Sequence, residues 1–298
     1  MKSRFVVMLV ALASCLSVCA YAQFNNPNGI LLDSEGHLWL ANSGDNNVLE
    51  LSITSCTATI LNTITTGISS PTRLAFDSSG NLWVTNLGNN TITVYDDLSA
   101  QGGNLIQTIT NSAINRPLGL AVDAYGDFYV ADNSNNSVVA FNIGDGLVET
   151  LTEDKSEFPF LAPGVLVIHG QDIYGGFGPC SVEARSQSSC DNAVISYNVG
   201  EFLTGNPKEI TVYTHAAQTG PTGVAFDKTG NVYVSYYTTP SWVKYSASGV
   251  FQREVQTGVN GPEGIQVDSK GNVYVSNSDS NNITEYKSTS GKLTCTIN

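Results

Sequence analysis

One phrase occurs six times in this chain, and the repetition constrains the fold more than any other feature. Its clearest copy runs from Pro262 to Asn277, and the copies begin at Pro27, Pro71, Pro117, Pro163, Pro221 and Pro262. Successive copies start 44, 46, 46, 58 and 41 residues apart. Repeats of roughly 40–50 residues made of short strands are typical of β-propeller blades. The spacing therefore predicts an all-β, six-bladed β-propeller of four-stranded antiparallel blades.

Each copy divides into four predicted strands, a to d, by alternation of apolar and polar residues and by turn residues. The a-to-b connection reads Asp-x-x-Gly-Asn in three copies, beginning at Asp77, Asp227 and Asp268. An aspartate there can accept the turn amides while the glycine takes a positive φ, so we interpret these aspartates as structural. Strand d of the last copy comes from the end of the chain, which predicts that no blade exchanges a strand with another.

The first residues predict a cleaved leader. A basic start at Lys2 and Arg4 precedes an apolar run, and Ala20-Tyr21-Ala22 forms a small-x-small cleavage site before Gln23. This pattern is that of a secretory signal peptide over residues 1–22, leaving one propeller domain over residues 23–298. An alternative is a lipid anchor, because Leu12-Ala13-Ser14-Cys15 resembles a lipoprotein box with Cys15 as the lipidated residue. We expect a secreted or periplasmic protein, with no membrane-spanning segment in the mature chain.

The charge excludes one class of partner. The whole chain carries a net charge of −13, and removal of Lys2 and Arg4 with the leader gives −13 − 2 = −15. Nucleic acids and anionic membranes bind basic patches, so we expect neither as a partner. We expect a monomer.

Four cysteines remain after the leader is removed, an even number in an oxidising compartment. Cys180 and Cys190 close a short loop, which predicts that they pair. This leaves Cys56 and Cys295, in the first and last blades, which meet in a closed ring. Two interpretations stay open for this pair. One is a disulfide that locks the ring, and the other is two free thiols, because the two residues lie at different heights along their outer strands.

The repeated phrase resembles a known family. The pattern Pro-x-Gly-Ile-x-Val-Asp-x-x-Gly-Asn-Val-Tyr-Val-x-Asn, with a later Asn-Asn-x-Ile, is similar to the NHL repeat and spans the predicted mature chain. The resemblance implies a six-bladed propeller. More distantly, the Trp variants at Trp39 and Trp83 resemble the streptogramin lyase propellers, which have a different blade count.

Strand alternation sorts the loops onto two faces. The d-to-a and b-to-c connections lie on one face, named here the top face, and the other connections lie on the bottom face. The residue after each repeat proline is predicted to point to the mouth of the central channel on the top face. These residues are Asn28, Thr72, Leu118, Gly164, Thr222 and Glu263, and Arg73 replaces the usual glycine beside Thr72.

A cation at this mouth is one hypothesis. The Glu263 carboxylate and the Asn28 amide, from neighbouring blades, offer the oxygen ligands that suit Ca²⁺. The chain is also similar to the gluconolactonase and regucalcin propellers, and that resemblance implies a divalent metal held by acidic and amide ligands here. Only Glu263 and Asn28 match, and the other mouth residues supply no strong ligand. No cofactor beyond this divalent cation is predicted.

The three histidines are predicted not to share one metal ion. A resemblance to the amidating-lyase propellers would imply a three-histidine zinc site. His37 and His169 belong to a-to-b turns of blades 1 and 4, on opposite sides of the ring, and His215 precedes blade 5 on the other face. We therefore interpret all three as surface residues.

Blades 4 and 5 depart from the repeat and predict a contact surface. Blade 4 has a shortened a-to-b turn, with His169 where the aspartate belongs, and a b-to-c insertion that carries Phe177 and Arg185. Blade 5 has Tyr236 and Tyr237 where other blades have Asn-rich loops. Aromatic rings beside one cation suit a sugar or peptide, because Tyr is enriched at binding hot spots. The alternative is that these rings cover the inserted loop.

The sequence thus favours an exported binding scaffold for a protein, peptide or carbohydrate, acting through the top face. The predicted ligand-binding residues are Asn28, Arg73, Phe177, Arg185, Tyr236, Tyr237 and Glu263. The alternative is a metal-dependent hydrolase or lyase at the channel mouth. An enzyme should show converging carboxylates, amides or histidines around one point, and no catalytic residue can be named from the sequence.

Overall fold

The predicted propeller is confirmed. A computed structural model describes residues 24–99, 101–142, 146–152, 164–176, 193–200, 209–213 and 220–298. These residues form six four-stranded antiparallel sheets, each built from four consecutive strands of the chain. The predicted leader lies outside the described residues. The described part of the chain contains no helix long and apolar enough to cross a bilayer.

The strands are numbered in chain order, four to a blade, from the innermost strand outward. Blades 1 and 2 contain β1 Pro27–Leu32, β2 Leu38–Asn42, β3 Asn47–Thr54, β4 Thr57–Ile64, β5 Pro71–Phe76, β6 Leu82–Asn86, β7 Thr91–Asp96 and β8 Asn104–Ile109. Blades 3 and 4 contain β9 Pro117–Val122, β10 Phe128–Asp132, β11 Ser137–Asn142, β12 Gly146–Thr152, β13 Val165–His169, β14 Asp172–Gly176, β15 Val194–Asn198 and β16 Glu209–Tyr213. Blades 5 and 6 contain β17 Pro221–Phe226, β18 Val232–Tyr236, β19 Ser241–Tyr245, β20 Phe251–Val255, β21 Pro262–Val267, β22 Asn272–Asn277, β23 Asn282–Lys287 and β24 Leu293–Ile297.

The ring closes through side-by-side packing of the innermost strands. β1 contacts β5 and β21, and the series β5, β9, β13, β17, β21 completes the circle. The apolar core is divided into six clusters, each shared by two neighbouring blades. The cluster between blades 6 and 1 joins Ile283 and Ile297 to Ile30 and Leu40, all at most 5 % exposed. As predicted, no strand is exchanged, so apolar burial between blades 1 and 6 closes the ring.

The aspartates of the a-to-b turns are structural, as predicted. In blade 2 the Asp77 Oδ1 accepts the N–H groups of Ser79 and Asn81, both at 2.9 Å, and Oδ2 accepts the Trp83 indole N–H at 3.0 Å. The same frame recurs in blade 5, where Oδ2 of Asp227 accepts the Tyr233 hydroxyl at 3.0 Å. Each aspartate therefore fixes its turn and anchors a buried aromatic ring of strand b.

The glycine of the repeated Pro-x-Gly phrase lets innermost strands approach each other. A Cβ at Gly264 would lie 2.8 Å from the Ile30 nitrogen in blade 1, and one at Gly223 would lie 2.9 Å from the Ile265 nitrogen in blade 6. Both distances are shorter than a carbon–nitrogen contact allows. Close packing around the channel thus requires glycine at these positions.

The Asn-rich b-to-c loops tie neighbouring blades together. Asn46, Asn90 and Asn281 each adopt a left-handed φ of 51° to 57°. Their side-chain oxygens accept backbone N–H groups of the next blade, at Ser70, Arg116 and Asn26, over 2.7 to 2.9 Å. The Asn281 to Asn26 bond spans the junction between blades 6 and 1. Turn propensity explained these asparagines in the sequence, but the structure adds this second role between blades.

Blade 4 differs from the others at the position predicted. Its a-to-b turn contains only Gly170 and Gln171 between β13 and β14. His169 replaces the usual aspartate, and its ring stacks on Phe226 of blade 5 with centroids 4.1 Å apart. Most of the inserted b-to-c loop, including Phe177, Cys180, Arg185 and Cys190, lies outside the described residues.

Candidate functional site at the channel mouth

The central feature of the channel mouth is the side chain of Arg73. It occupies the position where the other repeats, except blade 4, have the glycine of Pro-x-Gly, so its side chain departs from the repeat. The guanidinium is buried, and its side chain is only 10 % exposed. The Arg73 side chain of blade 2 therefore occupies space at the channel mouth that a glycine at this position would leave empty.

The Arg73 guanidinium contacts four blades. Its Nη1 donates to the Asn28 side-chain oxygen of blade 1 and to the Thr72 carbonyl at 2.9 Å. Its Nη2 donates to the Thr222 carbonyl of blade 5 at 2.6 Å and to the Glu263 carbonyl of blade 6 at 3.3 Å. The same Nη2 lies 3.5 Å from Glu263 Oε2. The Arg73 Nε is buried without a hydrogen-bond partner among the described residues.

Burial shifts the pKa of both charged groups. Burial lowers the pKa of Arg73, and the negative charge of Glu263 opposes this effect. Burial raises the pKa of Glu263, while Arg73 lowers it and the negative charge of Asp279 raises it further. A carboxyl group with a raised pKa beside a buried guanidinium is the kind of arrangement found at functional sites, although structural ion pairs produce it as well.

The channel beneath Arg73 is small and apolar. It has a volume of about 180 Å³ and is lined by aliphatic residues of the innermost strands, among them Ile30, Leu74, Leu120 and Ile265. Pockets for small molecules typically measure about 300–1,000 Å³. A substrate of ordinary size therefore has little room in the channel below the mouth.

Comparison with known proteins agrees with this architecture. The sequence profile of the NHL repeat matches residues 115–141, which form the a-to-c part of blade 3. The chain is a six-bladed propeller that contains an NHL repeat. No curated protein sequence is similar enough to count as a relative.

Several solved structures share the fold at low sequence identity. A catalytically inactive variant of virginiamycin B lyase from Staphylococcus aureus, with quinupristin, has a TM-score of 0.61 and 14 % identity over 91 % of this chain and 84 % of that one. A nidogen/laminin complex has a TM-score of 0.67 and 15 % identity over 88 % and 92 %. The Kuenenia stuttgartiensis hydrazine synthase has a TM-score of 0.62 and 15 % identity over 93 % and 99 %. At such identities the similarity shows the fold alone.

In this propeller the structure brings together three of the predicted site residues. Asn28, Arg73 and Glu263 form one hydrogen-bonded group at the mouth. The predicted divalent metal at Asn28 and Glu263 stays a prediction. The Arg73 guanidinium supplies a positive charge between Asn28 and Glu263. The sequence did not reveal this contact, because it depends on how far the long arginine side chain reaches across the mouth.

Tyr237 is placed beside this group. Its ring is 38 % exposed on the b-to-c loop of blade 5. Its hydroxyl donates to Asp279 Oδ1 of blade 6 at 3.2 Å. Burial raises the pKa of Tyr237, and the nearby charges of Asp279 and Glu263 raise it further. The top face at blades 5 and 6 thus presents one aromatic ring next to two carboxylates.

Tyr236 lies in the interior, which corrects the expectation that it contributes to a contact surface. It is 0 % exposed, and its hydroxyl is 2.9 Å from the hydroxyl of Tyr245. The other predicted contact residues, Phe177 and Arg185, lie outside the described residues. Of the predicted blade 4 and 5 surface, only Tyr237 is therefore seen to be available to a ligand.

Two predicted cysteine pairs have different outcomes. Cys180 and Cys190 lie outside the described residues, so their pairing stays a prediction. Cys56 and Cys295 are both present as thiols, and a disulfide between them is not shown. Burial raises the pKa of Cys295, and a hydrogen bond with Cys56 raises it further, so the two thiols are neighbours at the junction of blades 1 and 6.

Proposed function

We propose that this protein is an exported scaffold that binds a protein, peptide or carbohydrate through its top face. The main support for this proposal is the arrangement of side chains at the channel mouth. The polar groups that an enzyme would need there, Asn28 and Glu263, are held by Arg73, and the channel below them is small and apolar. What remains accessible is a wide rim of fixed loops.

The rim has the features of a recognition surface. Its loops are held by hydrogen bonds between blades at Asn46, Asn90 and Asn281, so binding costs little ordering entropy. Tyr237 offers a partly exposed ring, and Asp279 offers a carboxylate acceptor beside it. Together these groups suit a ligand that presents an apolar or ring surface flanked by hydrogen-bond donors.

A protein or peptide is the ligand class with most support. The nidogen/laminin complex shows that a propeller of similar fold serves in a protein complex. The acidity of the chain favours a basic segment as the ligand, since complementary charge speeds association and selects the partner. Carbohydrate stays the second ligand class.

The test compares two tyrosines on opposite faces. Peptide and glycan arrays are probed with the purified protein, with Tyr237→Ser and with Tyr125→Ser. Tyr125 is 90 % exposed on the bottom face, so it is a matched control. We expect Tyr237→Ser to weaken binding about 30-fold, because truncating a hot-spot residue costs roughly 2 kcal/mol or more. Equal effects of both variants, or an effect of Tyr125→Ser alone, would contradict the assignment to the top face.

A metal-dependent hydrolase or lyase is the second candidate function. The raised pKa of Glu263 at the mouth favours it, and virginiamycin B lyase is a propeller of similar fold. Thermal unfolding in EDTA and in added Ca²⁺ or Mg²⁺ tests it, with Glu263→Gln as the variant. A metal that stabilises the wild type but not Glu263→Gln would support a site at the mouth. No shift with either ion would remove this candidate.

Export is a separate part of the proposal and rests on the N-terminal sequence. Mass analysis of the protein recovered from its host tests it. A chain that begins at Gln23 supports secretion, and a chain that begins at an acylated Cys15 supports a lipid anchor instead. An uncleaved N-terminus would overturn both.

A further inference from the structure

The a-to-b turn of blade 1 holds a group of side chains that no other described turn contains. Asp33, His37 and Glu50 converge there, and one ligand atom from each lies within 4.8 Å of the others. His37 Nδ1 is 2.9 Å from Glu50 Oε1 and 3.6 Å from Asp33 Oδ2. All three side chains are mostly buried, with exposures of 26 %, 14 % and 18 % for His37, Glu50 and Asp33.

The repeat itself provides the comparison that makes this group unusual. At the position of His37, blades 2, 5 and 6 have Asn81, Asn231 and Asn272, whose amides donate to Oδ2 of the turn aspartate at 2.7 to 2.8 Å. In blade 1 an imidazole nitrogen replaces that amide. A hydrogen-bond donor that completes the turn is thus replaced by a metal-binding group.

The position of Glu50 shows a second change. Glu50 pairs with Trp39 across β2 and β3, and Lys244 of blade 5 pairs in the same way with Tyr233. The Lys244 Nζ lies 3.7 Å from Asp227 Oδ2 and neutralises the turn aspartate. Blade 1 has a second carboxylate where blade 5 has this ammonium group. No lysine or arginine occurs in the sequence from Phe24 to Thr72.

The carboxylates of the blade 1 turn therefore have no lysine or arginine partner from residues 24–72. Glu35 adds a third carboxylate, with Oε2 3.9 Å from His37 Nδ1. Burial raises the pKa of Glu50, His37 lowers it, and the charges of Asp33 and Glu35 raise it further. Two mostly buried carboxylates within 4.8 Å of each other are costly unless a positive charge lies between them.

We propose that Asp33, His37 and Glu50 form a zinc site on the bottom face of blade 1. Zinc binds imidazole nitrogen and carboxylate oxygen at about 2.0–2.2 Å, which places tetrahedral ligands roughly 3.3 Å apart. The distances of 2.9 Å and 3.6 Å from His37 Nδ1 lie on either side of that value. An imidazole ligand favours zinc over Ca²⁺, which prefers oxygen ligands alone.

The surroundings of the three ligands are ordered for this role. Asp33 Oδ1 accepts the N–H groups of Glu35 and His37 at 2.9 Å and 2.8 Å, and Oδ2 accepts the Trp39 indole N–H at 3.0 Å. Outer partners of this kind fix the orientation of metal ligands and tune their affinity. One lone pair of Asp33 Oδ2 remains for the metal.

The proposed site borders a groove. Asp33, Glu35 and Glu50 line one side of a groove of about 610 Å³ between blades 1 and 2, and Phe76, Leu98 and Gln101 line the other side. A three-ligand zinc site that keeps an open position exchanges water or an outside ligand there. The site lies on the face opposite to the channel mouth, so it is independent of the proposed function.

The test measures metal uptake by the purified protein without an affinity tag. After removal of metals with EDTA, Zn²⁺ is added during calorimetric titration, and Co²⁺ is added in parallel to record its visible spectrum. We expect one Zn²⁺ per chain, a higher melting temperature and a Co²⁺ spectrum of four-coordinate type. Uptake should weaken at low pH, because protons compete with the metal for its ligands.

Two variants take their replacements from the repeat. His37→Asn restores the residue of blades 2, 5 and 6, and Glu50→Lys restores the ion pair of blade 5. Both should weaken Zn²⁺ binding more than about 100-fold, since even the loss of an outer partner costs 10–100-fold. His169→Asn removes a histidine from the equivalent turn of blade 4 and should leave binding unchanged.

The proposal is overturned by any of three results. These are no Zn²⁺ uptake at one equivalent, uptake that both variants retain, and uptake that His169→Asn abolishes instead. Circular dichroism shows whether each variant folds. If His37→Asn does not fold, the near-isosteric Glu50→Gln decides the test by the same loss of uptake.

Discussion

Blades 1 and 5 share a backbone frame but use it for different chemistry. Both close their a-to-b turn with an aspartate that binds two amides and an aromatic ring of strand b. Blade 5 completes its turn with Asn231 and Lys244, whereas blade 1 has His37 and Glu50 at these positions. Two substitutions thus change a neutralised structural turn into an anionic group with an imidazole.

The loops on the top face differ between the same two blades. Blade 1 uses Asn46 in a left-handed conformation to bind the backbone of blade 2. Blade 5 has Pro240 at the equivalent position, and a fixed φ near −65° prevents that conformation. Its contact to the next blade is made by the Tyr237 hydroxyl and Asp279. Where the repeat is broken, an exposed aromatic residue replaces a structural amide.

The largest expected effect is that of replacing Arg73, which contacts both blade 1 and blade 5. Arg73 binds Asn28 of blade 1 and the Thr222 carbonyl of blade 5, so its loss should weaken the ring as a whole. Arg73→Met leaves the Glu263 carboxylate mostly buried without its cation, which we expect to cost about 3–5 kcal/mol in the free energy of unfolding. Denaturant unfolding measures it. The double variant Arg73→Met/Glu263→Gln should recover much of the loss, and an equally unstable double variant would contradict the role of the ion pair.

The second effect is specific to blade 1, which carries Cys56 on the turn after β3. If Cys56 and Cys295 form a disulfide in an oxidising buffer, we expect a gain of about 2–4 kcal/mol, because the bond constrains a long segment of the unfolded chain. Unfolding in oxidised and in reduced glutathione measures the gain. Cys295→Ser should abolish it while any bond between Cys180 and Cys190 is retained. An unchanged gain in Cys295→Ser would assign it to the other cysteines.

The third effect tests the loop difference. Asn46→Ala removes a hydrogen bond between blades and places alanine in a left-handed conformation, which should cost about 1–2 kcal/mol. The exposed Asn89 provides a control on the top face of blade 2, since its φ is not positive and its side chain accepts the Thr91 hydroxyl of its own blade, at 2.8 Å, rather than a group of the next blade. Asn89→Ala should change the melting temperature less than Asn46→Ala does. Equal effects would mean that the bond from Asn46 to Ser70 adds no stability.

The smallest effect is on the pH dependence of stability. As pH rises, Glu50 in the blade 1 turn and Asp227 in the blade 5 turn should change the stability of the protein in opposite directions. The pKa of Glu50 is raised from 4.5, so wild type loses stability relative to Glu50→Gln as pH rises above 4.5. Burial alone would raise the pKa of Asp227, but hydrogen bonds from Thr229, Asn231 and Tyr233 lower it below 3.8. Wild type is therefore more stable than Asp227→Asn above pH 3.8 and loses this advantage in acid.

Melting temperatures of wild type, Glu50→Gln and Asp227→Asn between pH 3 and pH 7 check these signs. The experiment is run in EDTA, so that a metal bound near Glu50 does not reverse its contribution. Trends of the same sign in both variants would show that the two turns do not differ as described.

The sequence predicted the fold well because each blade repeats the same short-range signals. Alternation, turn residues and the regular spacing of prolines fix four strands per repeat, and the turn aspartates act as predicted. The site was predicted only in part. The proximity of Asn28 and Glu263 follows from the repeat, but the reach of Arg73 across four blades depends on side-chain conformation.

Two other features could not be read from local patterns. Tyr236 has the sequence context of an exposed loop residue, yet its ring takes the place of the buried Asn42, Asn86 and Asn277 of other blades. Glu50 is 13 residues from His37 in the chain, and only the pairing register of β2 and β3 brings them together. A comparison of the six repeats position by position would have singled out Tyr236, but not Glu50, because blade 6 has Glu285 at the equivalent position.

The junction between blades 6 and 1 is built like that between blades 1 and 2, with an apolar cluster, close innermost strands and an asparagine that bridges the blades. No strand is shared across the junction of blades 6 and 1, so this junction is not built differently from an internal one. A circular permutant whose new ends lie in another d-to-a connection, such as the one at Gly67, should therefore assemble the same six interfaces. The ring then does not dictate which blade is translated first, although the cyclic order of the blades is unchanged.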